Sequence, residues 1–264
     1  MFKLAYLNGC SFVDGFKGLD DSIVKTELDI KKIINNASHG CGNDKIRRTT
    51  IDFLLKNKNL WEDLLVVIGW TQFTRFELWD EFKNKNGKES SSFIQLNSKL
   101  VHNKKKSTDF LERMDSSQAF PSPEKSLIRF GLKKDIHGND MSDKFWKWFM
   151  VRHYNVRDRY DKYLDNILYL QMFLKTNNIK YVMFDSLWSI NETKLSDKYK
   201  FKYNEIDFDR WVWGDDKTSW SEYLTDIDPS HTETRISNTD DHPNENGQKI
   251  WLKIISNKVK ELYE

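Results

Sequence analysis

Three short clusters contain the residue types that serine-based acyl chemistry requires. They lie at residues 8–12, 39–44 and 240–247. Ser11 in the first cluster follows an apolar segment, and a serine on a tight turn between a strand and a helix exposes its hydroxyl and places its own N–H near an oxyanion. His242 in the third cluster follows two carboxylates, and a nearby carboxylate can hold a histidine base in one tautomer.

The middle cluster is rich in glycine and precedes a predicted helix. Gly40 and Gly42 let the backbone approach a ligand closely, and the start of a helix favours negative charge. The same pattern also fits an ordinary loop with a helix cap. The other two clusters have similar alternatives, since Ser11 could cap a helix and His242 could lie on the surface of a turn.

Alternating strands and helices must position these clusters. Apolar segments at 2–7, 64–68 and 179–184 predict buried strands, and helical periodicity predicts helices at 44–55, with Asp44 as N-cap, and at 158–175 and 247–262. This alternation indicates an α/β domain with a mainly parallel sheet. Each cluster adjoins the end of a predicted strand, or the start of a predicted helix.

Two irregular stretches interrupt this pattern, at about 83–158 and at 189–237. Long insertions after sheet strands usually lie over the edge where ligands bind, so the first is expected to be lid-like. The second is aromatic. Its tryptophans and those of the first stretch favour packing over sugar stacking, namely Trp146, Trp148, Trp211, Trp213 and Trp220. Lys104-Lys105-Lys106 is expected to be a solvated loop. We expect one domain over residues 1–264.

Composition excludes several classes of protein. The 264 residues carry 14% aromatics and a formal net charge of +2, which argues against global disorder and does not call for nucleic acid. No apolar run is long enough to cross a bilayer, and residues 1–12 lack a signal-peptide pattern, so we expect a cytoplasmic protein that needs no membrane partner. Cys10 and Cys41 form neither a disulfide framework nor a zinc site, and are expected to be buried. The other histidines, His39, His102, His137, His153 and His231, show no metal-ligand spacing.

In order and placement the clusters resemble the SGNH (GDSL-like) hydrolases. Gly9-Cys10-Ser11-Phe12 stands where that family has Gly-Asp-Ser-Leu, Ile68-Gly69-Trp70-Thr71 where it has its third block, and His242-Pro243-Asn244 where it has its histidine. The resemblance implies a flavodoxin-like three-layer α/β/α sandwich with long insertions. It also implies Ser11 as nucleophile, His242 as base, Ser11 and Gly42 as backbone oxyanion donors, and no metal or organic cofactor. Asn-Gly-Cys-Ser-Phe and Ile-Gly-Trp-Thr look similar to phage-type members, for which a virion location is possible.

Three positions depart from the family pattern. Cys10 replaces an aspartate, Thr71 replaces the oxyanion asparagine, and Thr239 stands three residues before His242. Asp240 or Asp241 would then orient the histidine, with Asp240 preferred. Either the amide of Asn43 or the hydroxyl of Thr71 would supply the side-chain oxyanion donor.

The resemblance implies a serine esterase that removes an acyl group from a small ester, expected to be a carbohydrate ester, through an acyl-enzyme. Two alternatives are an inactive protein of the same fold, with a binding or virion-assembly role, and an O-acyltransferase. Arg75 could bind a substrate carboxylate or phosphate, or form a salt bridge. Oligomeric state is left open.

Overall fold

A computed structural model describes residues 2–73, 75–83, 89–96, 156–190 and 197–264. Within these residues, four parallel strands form the central sheet in the order β2-β1-β3-β6. Their bounds are β1 (Phe2–Gly9), β2 (Ile30–Asn35), β3 (Leu64–Trp70) and β6 (Lys180–Asp185). A parallel bridge between Met183 and Trp211 extends the sheet beyond β6.

Helices cover both faces of this sheet. They are α1 (Ser11–Asp14), α2 (Asp21–Leu28), α3 (Asn43–Lys56), α4 (Val156–Thr176), α5 (Asp197–Tyr203), α6 (Trp220–Ile227) and α7 (Glu245–Tyr263). Helix α3 packs against α4, and α2 packs against α7. The predicted three-layer α/β/α sandwich is therefore confirmed, and its strand order is that of flavodoxin-like folds, which bind ligands at the carboxyl ends of the strands.

Strand β3 forms the centre of the core. All seven of its residues are buried, as expected for a parallel strand with helices on both faces. Burial of each large aliphatic side chain contributes about 2 kcal/mol. Thr71 directly follows this strand and therefore lies at the carboxyl edge of the sheet.

Two glycines let α1 pack directly onto that edge. Gly9 ends β1 and pairs in register with Gly69 of β3. A Cβ on Gly9 would lie 2.5 Å from Val13 Cγ2 and 2.7 Å from the Gly69 oxygen, and a Cβ on Gly69 would also meet Val13. Any side chain at either position would push α1, and Ser11 with it, away from the sheet.

The predicted helices and strands are present with shifted ends, and one prediction about a cap is wrong. Gly42 is the N-cap of α3, and Asp44 lies in the first turn, where it accepts a hydrogen bond from Asn166 Nδ2 at 3.1 Å. Strand β2 and helix α2 were not predicted. Strand β2 is at the edge of the sheet and begins Ile-Lys-Lys, with both lysines exposed, so it lacks the apolar signature of a central strand.

The stretch predicted as irregular at 83–158 contains regular structure. Strands β4 (Phe76–Lys83) and β5 (Glu89–Leu96) pair as an antiparallel hairpin. Residues 97–155 lie outside the described part of the chain. The predictions that fall there concern Lys104–Lys106, Trp146, Trp148, His102, His137 and His153.

The stretch 189–237 was also predicted to be irregular, but it contains α5 and α6. Helix α6 begins at a capping box in which the Ser219 hydroxyl and the Glu222 carboxylate each accept a backbone N–H. Trp220 then stacks on Trp251, with ring centroids 5.6 Å apart and planes 5° from parallel, so this tryptophan belongs to the core.

A short antiparallel hairpin precedes the last helix. It consists of β7 (Arg235–Ser237) and β8 (Asp240–Pro243). In the part of the chain that the structure describes, no helix is both long and apolar enough to cross a bilayer.

Candidate active site

Ser11, His242 and Asp240 form one hydrogen-bonded chain at the carboxyl edge of the sheet. Nε2 of His242 lies 2.7 Å from Oγ of Ser11, and Nδ1 lies 2.6 Å from Oδ1 of Asp240. The same Asp240 oxygen accepts the backbone N–H of His242 at 3.0 Å. The order of the three groups is that of a nucleophile, a base and the carboxylate that orients the base.

Local structure fixes each member. Ser11 is the first residue of α1, whose N-cap is Cys10, and it is buried at 7% exposure. His242 lies on β8 just before Asn244, which is the N-cap of α7 and accepts the Gly247 N–H at 3.1 Å. Asn244 Nδ2 also donates to the Arg235 oxygen at 2.9 Å, which ties the hairpin to the start of α7.

The two candidate acids next to His242 have different partners. Asp240 contacts His242, whereas Oδ1 of Asp241 lies 3.2 Å from Nδ1 of His231. Hydrogen bonds from the backbone and then from the side chain of His242 lower the pKa of Asp240 below its ordinary value of 3.8. Asp240 is therefore ionised at neutral pH and can stabilise an imidazolium.

A buried arginine supports the hairpin from behind. Arg235 is 2% exposed, and its guanidinium donates to the backbone oxygen of Asp241 and to that of Ser221. It also donates to Thr225 Oγ1 at 3.1 Å and lies over the Phe12 ring, with Cζ 6.0 Å from the ring centroid. Arg235 thus joins the strand that carries His242 to α6 and to the residue after Ser11. This role could not be predicted from the sequence, because Arg235 falls in a stretch without periodicity.

The loop before α3 is pinned to the end of β1. Sγ of Cys41 donates to the Gly9 oxygen at 2.9 Å, and the Ser38 N–H donates to the same oxygen at 3.2 Å. Burial raises the pKa of the Cys41 thiol to about 12, so this cysteine is not a thiolate nucleophile at neutral pH. Both cysteines are free and buried. Gly42 follows as the N-cap of α3, where backbone N–H groups lack helical acceptors.

Asn43 and Thr71, the two alternatives for a side-chain donor, contact each other. Nδ2 of Asn43 donates to the Thr71 oxygen at 3.1 Å and to the Gln72 oxygen at 3.4 Å, and its Oδ1 accepts the Thr71 N–H at 3.0 Å. The amide of Asn43 is therefore engaged in holding the loop after β3. An oxyanion role for this amide would require it to give up one of these bonds.

Arg75 lies beside Thr71. Its Nη1 donates to Thr71 Oγ1 at 2.9 Å. An oxygen that accepts this bond still has its own O–H to donate. Arg75 thus contacts a predicted site residue.

Asn8 is a buried residue whose structural role the sequence did not reveal. Its Nδ2 donates to Ile46 O at 3.1 Å and to Thr50 Oγ1 at 2.8 Å, and its Oδ1 accepts the Gly9 N–H at 2.9 Å. These bonds fasten α3 to the end of β1. From the sequence, the Asn-Gly pair indicated only a turn. Its buried role could not be predicted, because the acceptors lie 38 and 42 positions away in the chain.

His39, from the same glycine-rich loop, lies near the Ser11–His242 pair. The ring centroids of His39 and His242 are 6.4 Å apart, and Nε2 of His39 lies 2.8 Å from Oδ2 of Asp14 on α1. Among the described residues, no group of three His, Cys, Asp or Glu side chains is placed to hold a metal ion.

Comparison with known proteins gives a likeness to solved structures. No known protein family matches the sequence, and no curated protein matches it. Among solved structures, the crystal structure of a "putative GDSL-like lipase" from Parabacteroides merdae aligns over 99% of this chain and 96% of that chain, with 12% sequence identity and a TM-score of 0.40.

Proposed function

We propose that this protein is a serine esterase that hydrolyses a carboxylic ester through an acyl-enzyme. The observation that carries the proposal is the continuous chain from Asp240 through His242 to Ser11, with contacts of 2.6 and 2.7 Å. Both distances are within the range that proton transfer to a base requires.

In the acylation step, Oγ of Ser11 attacks the ester carbonyl carbon while Nε2 of His242 takes its proton. Collapse of the tetrahedral intermediate breaks the bond to the leaving oxygen, which receives that proton from His242. Asp240 accepts the Nδ1–H of His242 throughout, which fixes the tautomer and stabilises the imidazolium. In deacylation, water replaces the alcohol and the same proton transfers run again.

The oxyanion requires donors at the carboxyl edge. We propose the backbone N–H groups of Ser11 and Gly42, with the hydroxyl of Thr71 as the side-chain donor. Two contacts support Thr71 over Asn43: Arg75 donates to Thr71 Oγ1, and the Asn43 amide is bonded to the backbone at positions 71 and 72. In this arrangement Asn43 and Arg75 position Thr71.

The proposed substrate is a small acyl ester, in particular an ester of a carbohydrate. The side chains of His242 and Asp240 are 41% and 44% exposed, so the acid–base pair is open to a substrate from solvent.

Turnover of p-nitrophenyl acetate tests the proposal. The wild-type protein should release p-nitrophenol, and Ser11→Ala should be slower by several orders of magnitude. Ser22→Ala, at an exposed serine on α2, serves as the control for loss of a serine hydroxyl. Equal rates for wild type and Ser11→Ala would reject Ser11 as the nucleophile.

Two other functions make different predictions. An inactive binding protein of this fold would have no reason to keep Ser11 and His242 in hydrogen-bonding contact, so the geometry favours an enzyme. An O-acyltransferase would use the same acyl-enzyme with a hydroxyl acceptor in place of water. Product analysis with added glycerol distinguishes it, because transfer would yield acylated glycerol at the expense of free acid.

A further inference from the structure

His39 provides a second imidazole beside the proposed base. Its ring centroid lies 6.4 Å from that of His242, and its side chain is 77% exposed. An exposed ring at this distance lies beside His242, at the rim of the proposed site, where the alcohol part of a bound ester could contact it.

A carboxylate on the nucleophile's own helix holds this ring. Asp14 ends α1, three residues after Ser11, and its side chain is only 13% exposed. Its Oδ2 lies 2.8 Å from Nε2 of His39, and its other oxygen pairs with Lys17. At that distance a nitrogen lone pair would repel the carboxylate, so Nε2 carries the proton. In the neutral ring, Nδ1 is then a hydrogen-bond acceptor.

The loop that carries His39 is fixed on both sides of the ring. Before it, Lys17 Nζ donates to the Ala37 oxygen at 2.8 Å. After it, Gly40 adopts a φ of 69°, a left-handed conformation that glycine adopts without strain and that turns the chain toward Cys41. The backbone that carries the ring is therefore held in place, which lowers the entropy cost of using the ring in binding.

We propose that His39 determines specificity for the leaving alcohol by accepting a hydrogen bond at Nδ1 from a free hydroxyl of that alcohol. The inference rests on the proposed esterase function. The ester oxygen of the leaving group must approach His242 Nε2 to receive its proton, so a hydroxyl one or two carbons further along is close enough to reach the His39 ring. Esters of polyols are then preferred over esters of simple alcohols, since the free hydroxyl adds a hydrogen bond that a simple alcohol cannot make.

Glycerol monoacetate and propyl acetate form a matched pair of substrates that differ in their free hydroxyls. The measurement is the ratio of kcat/KM for the two esters. Wild type should prefer glycerol monoacetate, and His39→Phe should lower the ratio about tenfold, the effect of losing one hydrogen bond in the transition state. His39→Gln, whose side-chain oxygen can still accept, should retain part of the preference.

A ratio of kcat/KM values that is the same in wild type and His39→Phe would overturn the inference. This holds also if kcat/KM falls equally for both esters, because that is the result expected if His39 only stabilised the loop. A wild type without preference would also overturn it. Labelling by a fluorophosphonate separates these failures from failure of the esterase proposal. A wild type that labels at Ser11 but shows no preference refutes only the role of His39, whereas a wild type that neither labels nor turns over either ester refutes both.

Discussion

Nε2 of His242 lies 2.7 Å from Oγ of Ser11, although 231 positions separate the two residues in the chain. The contact joins the start of α1 to the hairpin before α7, so it forms only when the fold brings these two elements together at one edge of the sheet. Because Asp240 and His242 lie on the same short strand, the hairpin delivers the acid and the base as one unit to the nucleophile.

Thr71→Val tests the proposed side-chain oxyanion donor. The substitution keeps the shape of the side chain and removes the hydroxyl, so kcat should fall by about a hundredfold with little change in KM. Thr71→Ser retains the hydroxyl and should keep most of the activity. Steady-state kinetics with p-nitrophenyl acetate measures both, and a Thr71→Val protein as active as Thr71→Ser would exclude the hydroxyl from the oxyanion hole.

Asn43→Ala tests whether the Asn43 amide holds the loop after β3. Loss of its bonds to the backbone of Thr71 and Gln72 leaves buried groups unpaired and should lower the free energy of unfolding by about 2 kcal/mol. Because Thr71 would lose its support, kcat should fall as well. Urea denaturation and kinetics on the same sample check both effects; unchanged stability would show that the amide is not engaged as described.

Arg235→Ala tests the support behind the hairpin. Removal of the buried guanidinium breaks its bonds to the backbone oxygens of Asp241 and Ser221 and leaves a cavity, which should cost about 3 kcal/mol of stability. Arg235→Lys keeps a charged donor and should recover part of that loss. Thermal unfolding ranks the three proteins, and equal stability of wild type and Arg235→Ala would contradict the bracing role.

Asp185 predicts a pH dependence of stability. Asp185 is 1% exposed at the end of β6, and burial raises its pKa to about 7. Hydrogen bonds from Tyr163 Oη and from the Ile190 N–H act in the opposite direction and lower the pKa, but burial has the larger effect. The folded protein then keeps a proton that the unfolded chain has lost above its ordinary pKa of 3.8, so stability falls as pH rises from about 4 to 7.

Asp185→Asn cannot titrate and removes this contribution. Urea unfolding at pH 5 and pH 7.5 should show that the wild-type protein loses more stability over this interval than the variant does. Parallel losses in the two proteins would mean that Asp185 has no raised pKa in the folded state.

The sequence was sufficient for the parts of the fold that depend on continuous apolar segments. Leu64–Trp70 is buried on both faces, and its apolar segment at 64–68 was recognisable from its composition. Strand β2 was missed because an edge strand with Lys31 and Lys32 exposed carries no such pattern. Packing against the sheet, rather than local propensity, determines that it is a strand.

The candidate site likewise has residues whose placement could be predicted from the sequence and residues whose placement could not. Ser11 and His242 adjoin elements that the sequence indicates, so their placement at one sheet edge could be predicted from topology. The partner of His242 could not be read from the sequence alone, because β8 was not predicted; on that strand Asp240 and His242 share one face, and Asp241 lies on the other. Asn43 was equally ambiguous, since the backbone that it binds lies 28 positions away.

Covalent labelling of Ser11 by a fluorophosphonate, followed by mass spectrometry of the intact protein and its peptides, tests the central claim most directly. The account predicts one adduct per chain, located on Ser11, absent in Ser11→Ala and formed more slowly in His242→Ala, where the base is missing. A wild-type protein that acquires no adduct, or a Ser11→Ala protein that labels as fast as wild type, would contradict it.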